Sequence, residues 1–305
     1  MLTYNGRVKY SYFRQKAGAR LKYVLYAAYD EIITKKRGAN MTEAVLADGS
    51  IFRYNIKKTI GGTMHSHHYH DYFEIYYMES GRCSYFIDGK CFEVGEGDII
   101  LIPAGVIHRT NYGSEQHSRI LIECSYDYIP HSVASNIQET GYLFRNPAVS
   151  EEVLALLQGI EKEYKHHDEF SPELIRAKMT ELFVRLARGR SLVRDALTNN
   201  PLVERSAGVI KRNFNQDIKL SDVARENFVS PEHLSRVFKR DTGFGFNEYL
   251  TLVRLQHAEQ MLKAKDKRSI SEIAFSCGFN DSNYFSDKFK RAYGTSPLKY
   301  RKEHK

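Results

Sequence analysis

The sequence lacks several features that would assign it to common functional classes. It has no tryptophan and only 7 prolines in 305 residues. It contains no apolar run near the roughly 20 residues of a membrane-spanning helix. Its first residues do not show the basic-then-apolar order of a signal peptide. No glycine-rich phosphate loop or Ser-His-Asp arrangement is evident. These absences argue against membrane, secreted and common nucleotide-dependent or serine enzymes, and they predict a cytoplasmic protein.

Cysteine is scarce, and its spacing argues against the usual cysteine-based sites. The 4 cysteines form no C-x-x-C pair, so a zinc cage or redox motif is not expected. Cys83 and Cys91 flank Asp88-Gly89, which is typical of a two-residue hairpin turn. Such a turn pairs Ile87 with Lys90 and places the two cysteines on opposite faces. We therefore expect reduced thiols, as in a cytosol.

Charge is distributed unevenly along the chain. The formal net charge is +8. Residues 201–305 hold 20 Lys and Arg against 13 Asp and Glu, whereas residues 1–200 hold 25 against 24. The length and the 42% hydrophobic content suit two domains with their own cores. The basic C-terminal third predicts a polyanionic partner, while a membrane surface is disfavoured because no basic amphipathic helix with exposed Trp or Phe is evident.

The C-terminal third contains an internal repeat. Residues 220–224 resemble residues 270–274, and residues 238–240 match residues 289–291. A period of about 50 residues indicates duplicated supersecondary units. In each unit the apolar spacing predicts a helix, a turn and a second helix.

Capping residues define the predicted ends of these helices. We expect Ser221 and Ser271 to cap the first helices. Ser230 and Asp281 are expected to cap the second helices, and glycines 243 and 294 to end them in the left-handed conformation. The inward faces of the second helices are predicted to hold Leu234, Val237, Phe238, Tyr284, Phe285 and Phe289.

The opposite face of each second helix is polar or basic. Its candidate DNA-binding residues are Glu232, His233, Ser235, Arg236, Lys239, Arg240, Ser282, Asn283, Lys288, Lys290 and Arg291. Arg, Asn and Ser can hydrogen-bond base edges in the major groove, and Lys and Arg can contact phosphates. The alternative is a helical bundle with a solvated basic face. Two similar units in tandem favour binding to double-stranded DNA.

The tandem units resemble the DNA-binding domain of AraC-type transcription regulators over about the last third of the chain. The resemblance is carried by residues 233–239, Gly243, Tyr249-Leu250, Arg254, Ala258, Leu262, Ile273-Ala274, Gly278-Phe279, Tyr284-Phe285, Phe289-Lys290, residues 294–297 and Tyr300-Arg301. It implies two recognition helices in successive major grooves. The implied base readers are Glu232, Ser235, Arg236, Ser282 and Asn283. Asp287 departs from the family pattern, in which a basic residue is common: its carboxylate would repel phosphates, but it can accept from a cytosine amino group.

Residues 41–125 have a different pattern. Short alternating runs are separated by Gly, Asp-Gly and Pro, and they lie at residues 50–60, 72–78, 83–87, 90–94, 98–102 and 118–124. Several short strands at regular spacing predict an antiparallel β-barrel or jelly roll.

Two motifs in this region resemble those of cupin barrels. They are carried by Gly62, His68, His70, Glu74 and Gly81, and by Gly97, Pro103, Gly105 and His108. Residues 68, 70 and 74 face one side of an extended strand. With His108 on a returning strand, they form a candidate metal set of three nitrogens and one carboxylate. Such a set suits Zn, Mn, Fe or Ni and does not choose between them.

The same region could instead bind a small-molecule effector without metal. The candidate ligand-binding residues are His68, His70, Glu74, Tyr76, Tyr85, His108 and Arg109. The two tyrosines could line a pocket or be core aromatics. Arg109 could pair with an anionic ligand or lie at the barrel mouth.

Residues 126–200 are predicted to be helical. Ser150 is expected to cap one amphipathic helix, and Ser171-Pro172 to open another. This pair could form a homodimer interface, which we favour, or pack on its own barrel. Residues 197–201 form the predicted linker to the DNA-binding domain at 201–305. Residues 1–40 are interpreted as an N-terminal arm with one amphipathic helix.

Together these patterns predict a multidomain α+β protein with an antiparallel cupin-like β-barrel, a helical pair and an all-α double helix-turn-helix domain. The predicted function is a sequence-specific transcription regulator, with activation favoured, that responds to a small molecule and contacts RNA polymerase. Two alternatives stay open. The His68, His70, Glu74 and His108 set could belong to an oxygenase or isomerase metalloenzyme. The barrel could also be purely structural.

Overall fold

The computed structural model describes residues 43–45, 51–60, 70, 72–113, 116–133, 142–166, 168–189, 200–264 and 267–304. An antiparallel sheet domain is followed by two long helices and then by a helical C-terminal domain. This order confirms the predicted α+β architecture. The predicted N-terminal arm and residues 197–199 of the predicted linker lie outside the described residues.

Two antiparallel sheets form the N-terminal domain. Their strands are β1 (Glu43–Val45), β2 (Ile51–Ile60), β3 (Phe73–Ser80), β4 (Arg82–Ile87), β5 (Lys90–Gly95), β6 (Ile99–Ile102), β7 (His108–Asn111), β8 (Gln116–Cys124) and β9 (Leu143–Phe144). One sheet has the order β1-β2-β8-β3-β6-β9, and the other has the order β5-β4-β7. Because β9 pairs with β6, the sheet domain continues past the predicted boundary at residue 125.

The turn between β4 and β5 has the predicted register. Asp88 and Gly89 have φ angles of 51° and 89°, as a type I′ turn requires. Ile87 pairs with Lys90 in the strand ladder. Cys83 and Cys91 consequently point to opposite faces, and all four cysteines are free thiols.

Side chains of β3 alternate between two cores. Tyr76 and Met78 point between the two sheets, where they pack with side chains of β4, β5, β6 and β8. Phe73, Ile75 and Tyr77 point away from the smaller sheet and pack in a second core. This period of two places each side chain of the strand on a defined face of the barrel.

Two helices, α1 (Pro147–His166) and α2 (Ser171–Arg188), cover the larger sheet. Their apolar faces, including Leu157 and Phe183, are buried in one core with the sheet. The pair therefore packs on its own barrel, and the faces predicted to form a dimer are already covered. The predicted cap at Ser150 is wrong, because α1 begins at Pro147 and the Ser150 hydroxyl lies 3.2 Å from that of Tyr77.

The C-terminal domain contains two helix-turn-helix units joined by a long helix. Its helices are α3 (Pro201–Asn213), α4 (Leu220–Glu226), α5 (Pro231–Thr242), α6 (Phe246–Lys263), α7 (Ile270–Ser276), α8 (Ser282–Tyr293) and α9 (Pro297–Glu303). The first unit is α4 and α5, the second is α7 and α8, and α6 links them. Among the described helices, none is both long enough and apolar enough to cross a membrane.

The second helix of each unit is capped as predicted. The Ser230 and Asp281 side chains accept hydrogen bonds from backbone N–H groups one turn later, at 3.1 and 2.6 Å. Gly243 and Gly294 end the two helices, each with a φ of 74°. The same start and stop signals therefore produce two recognition helices of equal length.

The first helices start two residues earlier than predicted. The helix α4 follows Lys219, and α7 follows Ser269. Ser269 and Glu272 form a reciprocal capping box, with hydrogen bonds of 3.2 and 2.6 Å. The caps predicted at Ser221 and Ser271 are therefore wrong, since both residues lie inside helices. Tyr284 is also misplaced in the prediction, because it is 51% exposed rather than buried.

Candidate DNA-binding surface and ligand site

The helix α5 exposes all of its predicted DNA-binding residues. Leu234, Val237 and Phe238 are buried against the rest of the domain. The opposite face exposes Glu232, His233, Ser235, Arg236, Lys239 and Arg240. Side chains that read bases in the major groove must be exposed while the helix itself stays packed on its domain. This arrangement therefore suits a recognition helix.

Local contacts order several of these side chains. The Arg236 guanidinium lies 3.4 Å from Nδ1 of His233. The Lys239 ammonium lies 3.3 Å from the Glu248 carboxylate on α6. Glu248 also accepts from the Gly245 backbone N–H at 3.0 Å and so caps α6. A single carboxylate thus connects the end of the first recognition helix to the start of the linking helix.

The helix α8 repeats this design with different chemistry. Phe285 and Phe289 are buried, and Asn283, Lys290 and Arg291 are exposed. Ser282 and Lys288 are half-buried, and the Lys288 ammonium lies over the Tyr284 ring at 5.2 Å. Near the middle of the helix, Asp287 Oδ2 forms an ion pair with Arg291 Nε at 3.0 Å.

Arg254 on the linking helix contacts two other parts of the domain. Its guanidinium donates to the backbone carbonyls of Phe214 and Gln216, between α3 and α4, at 2.7 and 2.8 Å. It also lies 5.9 Å from the centre of the Phe279 ring in the second unit. Arg254 thus connects the segment that precedes the first unit to the second unit.

A polar cluster lies at one end of the barrel interior. Glu74 on β3, His108 on β7 and Tyr85 on β4 are buried, and His70 lies just before β3. The Glu74 Oε2 atom is 3.3 Å from His70 Nε2 and 3.6 Å from His108 Nε2. The Tyr85 hydroxyl donates to the other carboxylate oxygen at 2.8 Å. Strand alternation places these groups on one inward face, as the sequence predicted for Glu74 and the histidines.

Backbone carbonyls orient both imidazoles. His70 Nδ1 lies 3.0 Å from the Tyr72 carbonyl, and His108 Nδ1 lies 2.8 Å from the Val106 carbonyl. A carbonyl can only accept, so each Nδ1 donates and each Nε2 is directed at Glu74. At metal sites, hydrogen bonds from groups beyond the metal ligands fix the histidine tautomer in the same way.

The acidity of Glu74 reflects these neighbours. Burial alone would raise the pKa of the Glu74 carboxyl, but His108 and His70 hold that pKa well below its usual value through charge and hydrogen bonding. Burial also raises the pKa of the Tyr85 hydroxyl well above its usual value. Tyr85 consequently acts as a hydrogen-bond donor to an ionised carboxylate.

The two tyrosines predicted for the ligand site differ in their surroundings. Tyr85 belongs to the polar cluster. The Tyr76 hydroxyl lies 3.7 Å from the sulfur atoms of both Met78 and Cys83, so Tyr76 belongs to the apolar interior.

The predicted metal set is described in part. One ligand atom each from His70, Glu74 and His108 lies within 4.8 Å of the others. His68, the remaining predicted member, lies outside the described residues. The described members offer two imidazole nitrogens and a carboxylate oxygen, a donor set that fits a divalent transition metal.

Comparison with known proteins assigns both halves of the chain. Residues 223–303 match a family described as a helix-turn-helix domain, and residues 59–183 match the AraC-like ligand binding domain. The chain belongs to the AraC-type transcription regulators. The second match spans β3 to β9, α1 and much of α2, which agrees with the core that these strands and helices share. Its membership confirms the predicted family and the predicted regulatory function.

Two curated relatives of this AraC-type regulator match it over most of their own length. The HTH-type transcriptional activator RhaR of Mannheimia succiniciproducens is 25% identical over 245 residues, which cover 77% of this chain and 86% of the relative. The HTH-type transcriptional activator RhaS of Klebsiella pneumoniae is 29% identical over 244 residues, covering 75% and 85%. Among solved structures, the C-terminal domain of AraT, a response regulator from Geobacillus stearothermophilus, is 37% identical, covers 35% of this chain and 88% of that chain, and has a TM-score of 0.33.

In this AraC-type regulator, Arg109 lies outside the barrel cavity. His108 and Arg109 are neighbours on β7, so when His108 points inward its neighbour points outward. The Arg109 guanidinium lies 5.0 Å from the centre of the Phe244 ring and 3.9 Å from the Glu248 carboxylate. Its predicted role at the ligand site is therefore replaced by a contact with the DNA-binding domain.

The outer face of the smaller sheet forms an interface that the sequence patterns did not predict. Phe86 packs against Phe244 and Tyr249, with ring centres 6.0 and 5.3 Å apart. Cys91 and Ile107 join the same buried core as the first helix-turn-helix unit. We call this surface, formed by the outward side chains of β4, β5 and β7 with α3, α5 and α6, the interdomain interface.

Polar contacts surround the interdomain interface. Lys211 on α3 pairs with Asp88 in the β4–β5 turn at 2.6 Å. The Gln256 side chain on α6 donates to the Gly105 backbone carbonyl. The sequence signal for this interface was the outward apolar position of Phe86 on a strand whose neighbours face inward. Its partner on another domain could not be read from that pattern.

Proposed function

We propose that this AraC-type protein is a cytoplasmic transcription activator that binds double-stranded DNA through α5 and α8. The observation that carries the proposal is the pair of equally long helices, each with a side-chain N-cap and a left-handed terminal glycine, with apolar inner faces and polar outer faces. Their exposed Arg, Lys, Asn and Ser residues match the groups that contact bases and phosphates. RhaR and RhaS are named activators, which supports activation through contact with RNA polymerase.

The proposed effector site is the polar end of the barrel. Glu74 offers a carboxylate acceptor, and His70 and His108 direct ring nitrogens at the same point. This arrangement suits a small molecule that carries hydroxyl donors. Because the related proteins are regulators, we interpret this cluster as a site that senses a ligand and not as one that turns over a substrate. We therefore place these residues in ligand binding and not in catalysis.

The same cluster is proposed to hold a divalent metal ion. His70, Glu74 and His108 would be the ligands, together with His68 from the sequence motif. When bound, the ion would act as a Lewis acid toward an oxygen of the effector.

Elemental analysis of the purified protein tests the metal proposal. About one equivalent of Zn, Mn, Fe or Ni is expected, and His108→Ala should lose it. The matched control is His166→Ala, a histidine on the exposed end of α1. Metal-free protein that gains no ion on incubation with these metals would contradict the proposal.

Strand β7 provides a path from the effector site to the DNA-binding surface. His108 faces the site, and Arg109 contacts Phe244 and Glu248. Glu248 in turn holds Lys239 at the end of α5. We infer that effector binding shifts β7 and changes the affinity of α5 for DNA. A coupling of about 1–3 kcal/mol would give a switch of roughly five- to 150-fold.

Selection of bound DNA from random duplexes tests the proposed DNA binding. The purified full-length protein should recover two sequence blocks, centred about one helical turn apart, at roughly 0.15 M salt. A variant that combines Arg236→Ala with Asn283→Ala should weaken both blocks. Failure to enrich any motif, in the presence and absence of added metal and cell metabolite extract, would contradict sequence-specific regulation.

A further inference from the structure

The two recognition helices can be compared position by position from their caps. Ser230 and Asp281 cap them, and Gly243 and Gly294 end them in the same conformation. Six residues after each cap, the first helix has Arg236 and the second has Asp287. Because the helices have equal length and bury Leu234 and Phe238 where the second has Phe285 and Phe289, these two residues occupy equivalent places on the exposed face. They carry opposite charges and opposite hydrogen-bonding roles.

The contacts of Asp287 hold it on the exposed face. Its side chain is 52% exposed, and Oδ2 forms an ion pair with Arg291 Nε one turn later at 3.0 Å. This contact uses one carboxylate oxygen and offsets the negative charge near the end of the helix. The second oxygen, Oδ1, belongs to the same exposed group, and a carboxylate can accept several hydrogen bonds.

The chemistry of DNA decides which group Asp287 can contact. Phosphates are acceptors with negative charge, so they repel a carboxylate. Base edges in the major groove include amino donors, and cytosine N4 is the one most often matched to Asp or Glu. Arg236 instead offers donors that match the O6 and N7 acceptors of guanine.

We propose that Asp287 determines the base specificity of the second unit by accepting a hydrogen bond from cytosine N4. The two units then read base edges of opposite hydrogen-bond polarity, guanine through Arg236 and cytosine through Asp287. The contact with Asp287 also holds the Arg291 guanidinium in place at the second site. This inference rests on the proposed function, because it needs both helices to lie in major grooves.

Selection from random duplexes with wild-type protein and Asp287→Asn tests the inference. The wild type should prefer cytosine at one position of the second block. Asn pairs with adenine edges, so Asp287→Asn should shift that position to adenine. Asp287→Arg should shift it to guanine. Replacing the preferred base should lower wild-type affinity by about five- to 150-fold at that position alone.

A charge-matched control separates base reading from general electrostatics. Glu303→Gln removes one negative charge from α9, where Glu303 pairs with Lys299 at 3.7 Å. It should leave both blocks unchanged. Because Asp287 and Glu303 are both exposed, neither the Asp287 variants nor Glu303→Gln should alter thermal unfolding. Unchanged unfolding temperatures would verify that the variants fold.

The outcomes distinguish this inference from the proposed function. If the wild type selects no motif, the proposed function fails. If the wild type selects two blocks and the Asp287 variants retain the same second block, the proposed function stands and the role of Asp287 is overturned. A uniform gain in affinity for all duplexes with unchanged base preference would also overturn it, because Asp287 would then act only by repelling phosphates.

Discussion

The first helix-turn-helix unit packs against the linking helix and the barrel, whereas the second packs against the linking helix and α9. Phe86 and Arg109 contact Phe244 and the start of α6, and Asp88 pairs with Lys211 on α3. The hydroxyls of Tyr293 on α8 and Tyr300 on α9 both donate to Glu259 on α6, at 3.0 and 2.7 Å. Two units with one plan therefore have different neighbours, and only the first shares a core with the sensor domain in the described residues.

This difference indicates a division of labour. A signal from the barrel has a direct contact path to α5 through Arg109 and Glu248. It reaches α8 only through the linking helix. We expect effector binding to change the first unit's affinity most, while the second unit supplies a constant contribution.

The largest expected effect comes from breaking the interdomain interface at Phe86. Phe86→Ala removes a ring that is 1% exposed and packs between Phe244 and Tyr249. Such a core truncation costs about 3–5 kcal/mol, measured by urea unfolding. The control Phe228→Ala changes a ring that is 96% exposed, and it should stay within about 0.5 kcal/mol. If Phe86→Ala lowers the free energy of unfolding by no more than Phe228→Ala does, the barrel does not pack on the first unit.

The next effect concerns the first recognition helix. Arg236→Ala should weaken binding to the selected site by about 1–3 kcal/mol and relax specificity in the first block. Fluorescence anisotropy with labelled duplexes measures the change. Arg225→Ala, on α4 and paired with Asp222 at 2.9 Å, is the control for loss of a positive charge. An equal loss on scrambled DNA would assign Arg236 to phosphate contact.

A smaller effect distinguishes the two capping glycines. Gly243→Ala and Gly294→Ala both place a side chain in left-handed backbone, which costs about 1–2 kcal/mol. At residue 243 the added Cβ would also lie 2.6 Å from Arg109 Cδ, whereas nothing lies within 4 Å at residue 294. Gly243→Ala should therefore be the more destabilising in thermal unfolding. Combining each with Arg109→Ala should remove the difference, and a difference that persists would contradict the contact.

Much of the fold could be predicted because its signals are local. The Asp88-Gly89 pair determines the register of β4 and β5, and the left-handed glycines end both recognition helices. Alternation along β3 placed Glu74 on the inner face. The cap errors at Ser221 and Ser271 arose because α4 and α7 start at an apolar residue, preceded by Lys219 or by a better-placed Ser269.

The interdomain interface could not be predicted because its partners are far apart in sequence. The sequence shows that Arg109 alternates with His108, but not what lies outside the strand. Likewise, the apolar faces of α1 and α2 could suit a partner subunit or the barrel, since periodicity records that a face is buried and not what covers it. The structure resolves this by placing Leu157 and Phe183 in the same core as the larger sheet.

The most direct test of this division of labour measures how Arg109→Gln changes binding to three duplexes: the selected site, the site with its first block scrambled, and the site with its second block scrambled. Without Arg109, Glu248 should hold Lys239 more firmly. DNA binding should then weaken by about 0.2–1 kcal/mol, a size typical of a partly exposed ion pair. We predict this loss on both duplexes that keep the first block, and no loss when that block is scrambled. A loss of equal size on all three duplexes would contradict a path from the barrel to the first unit.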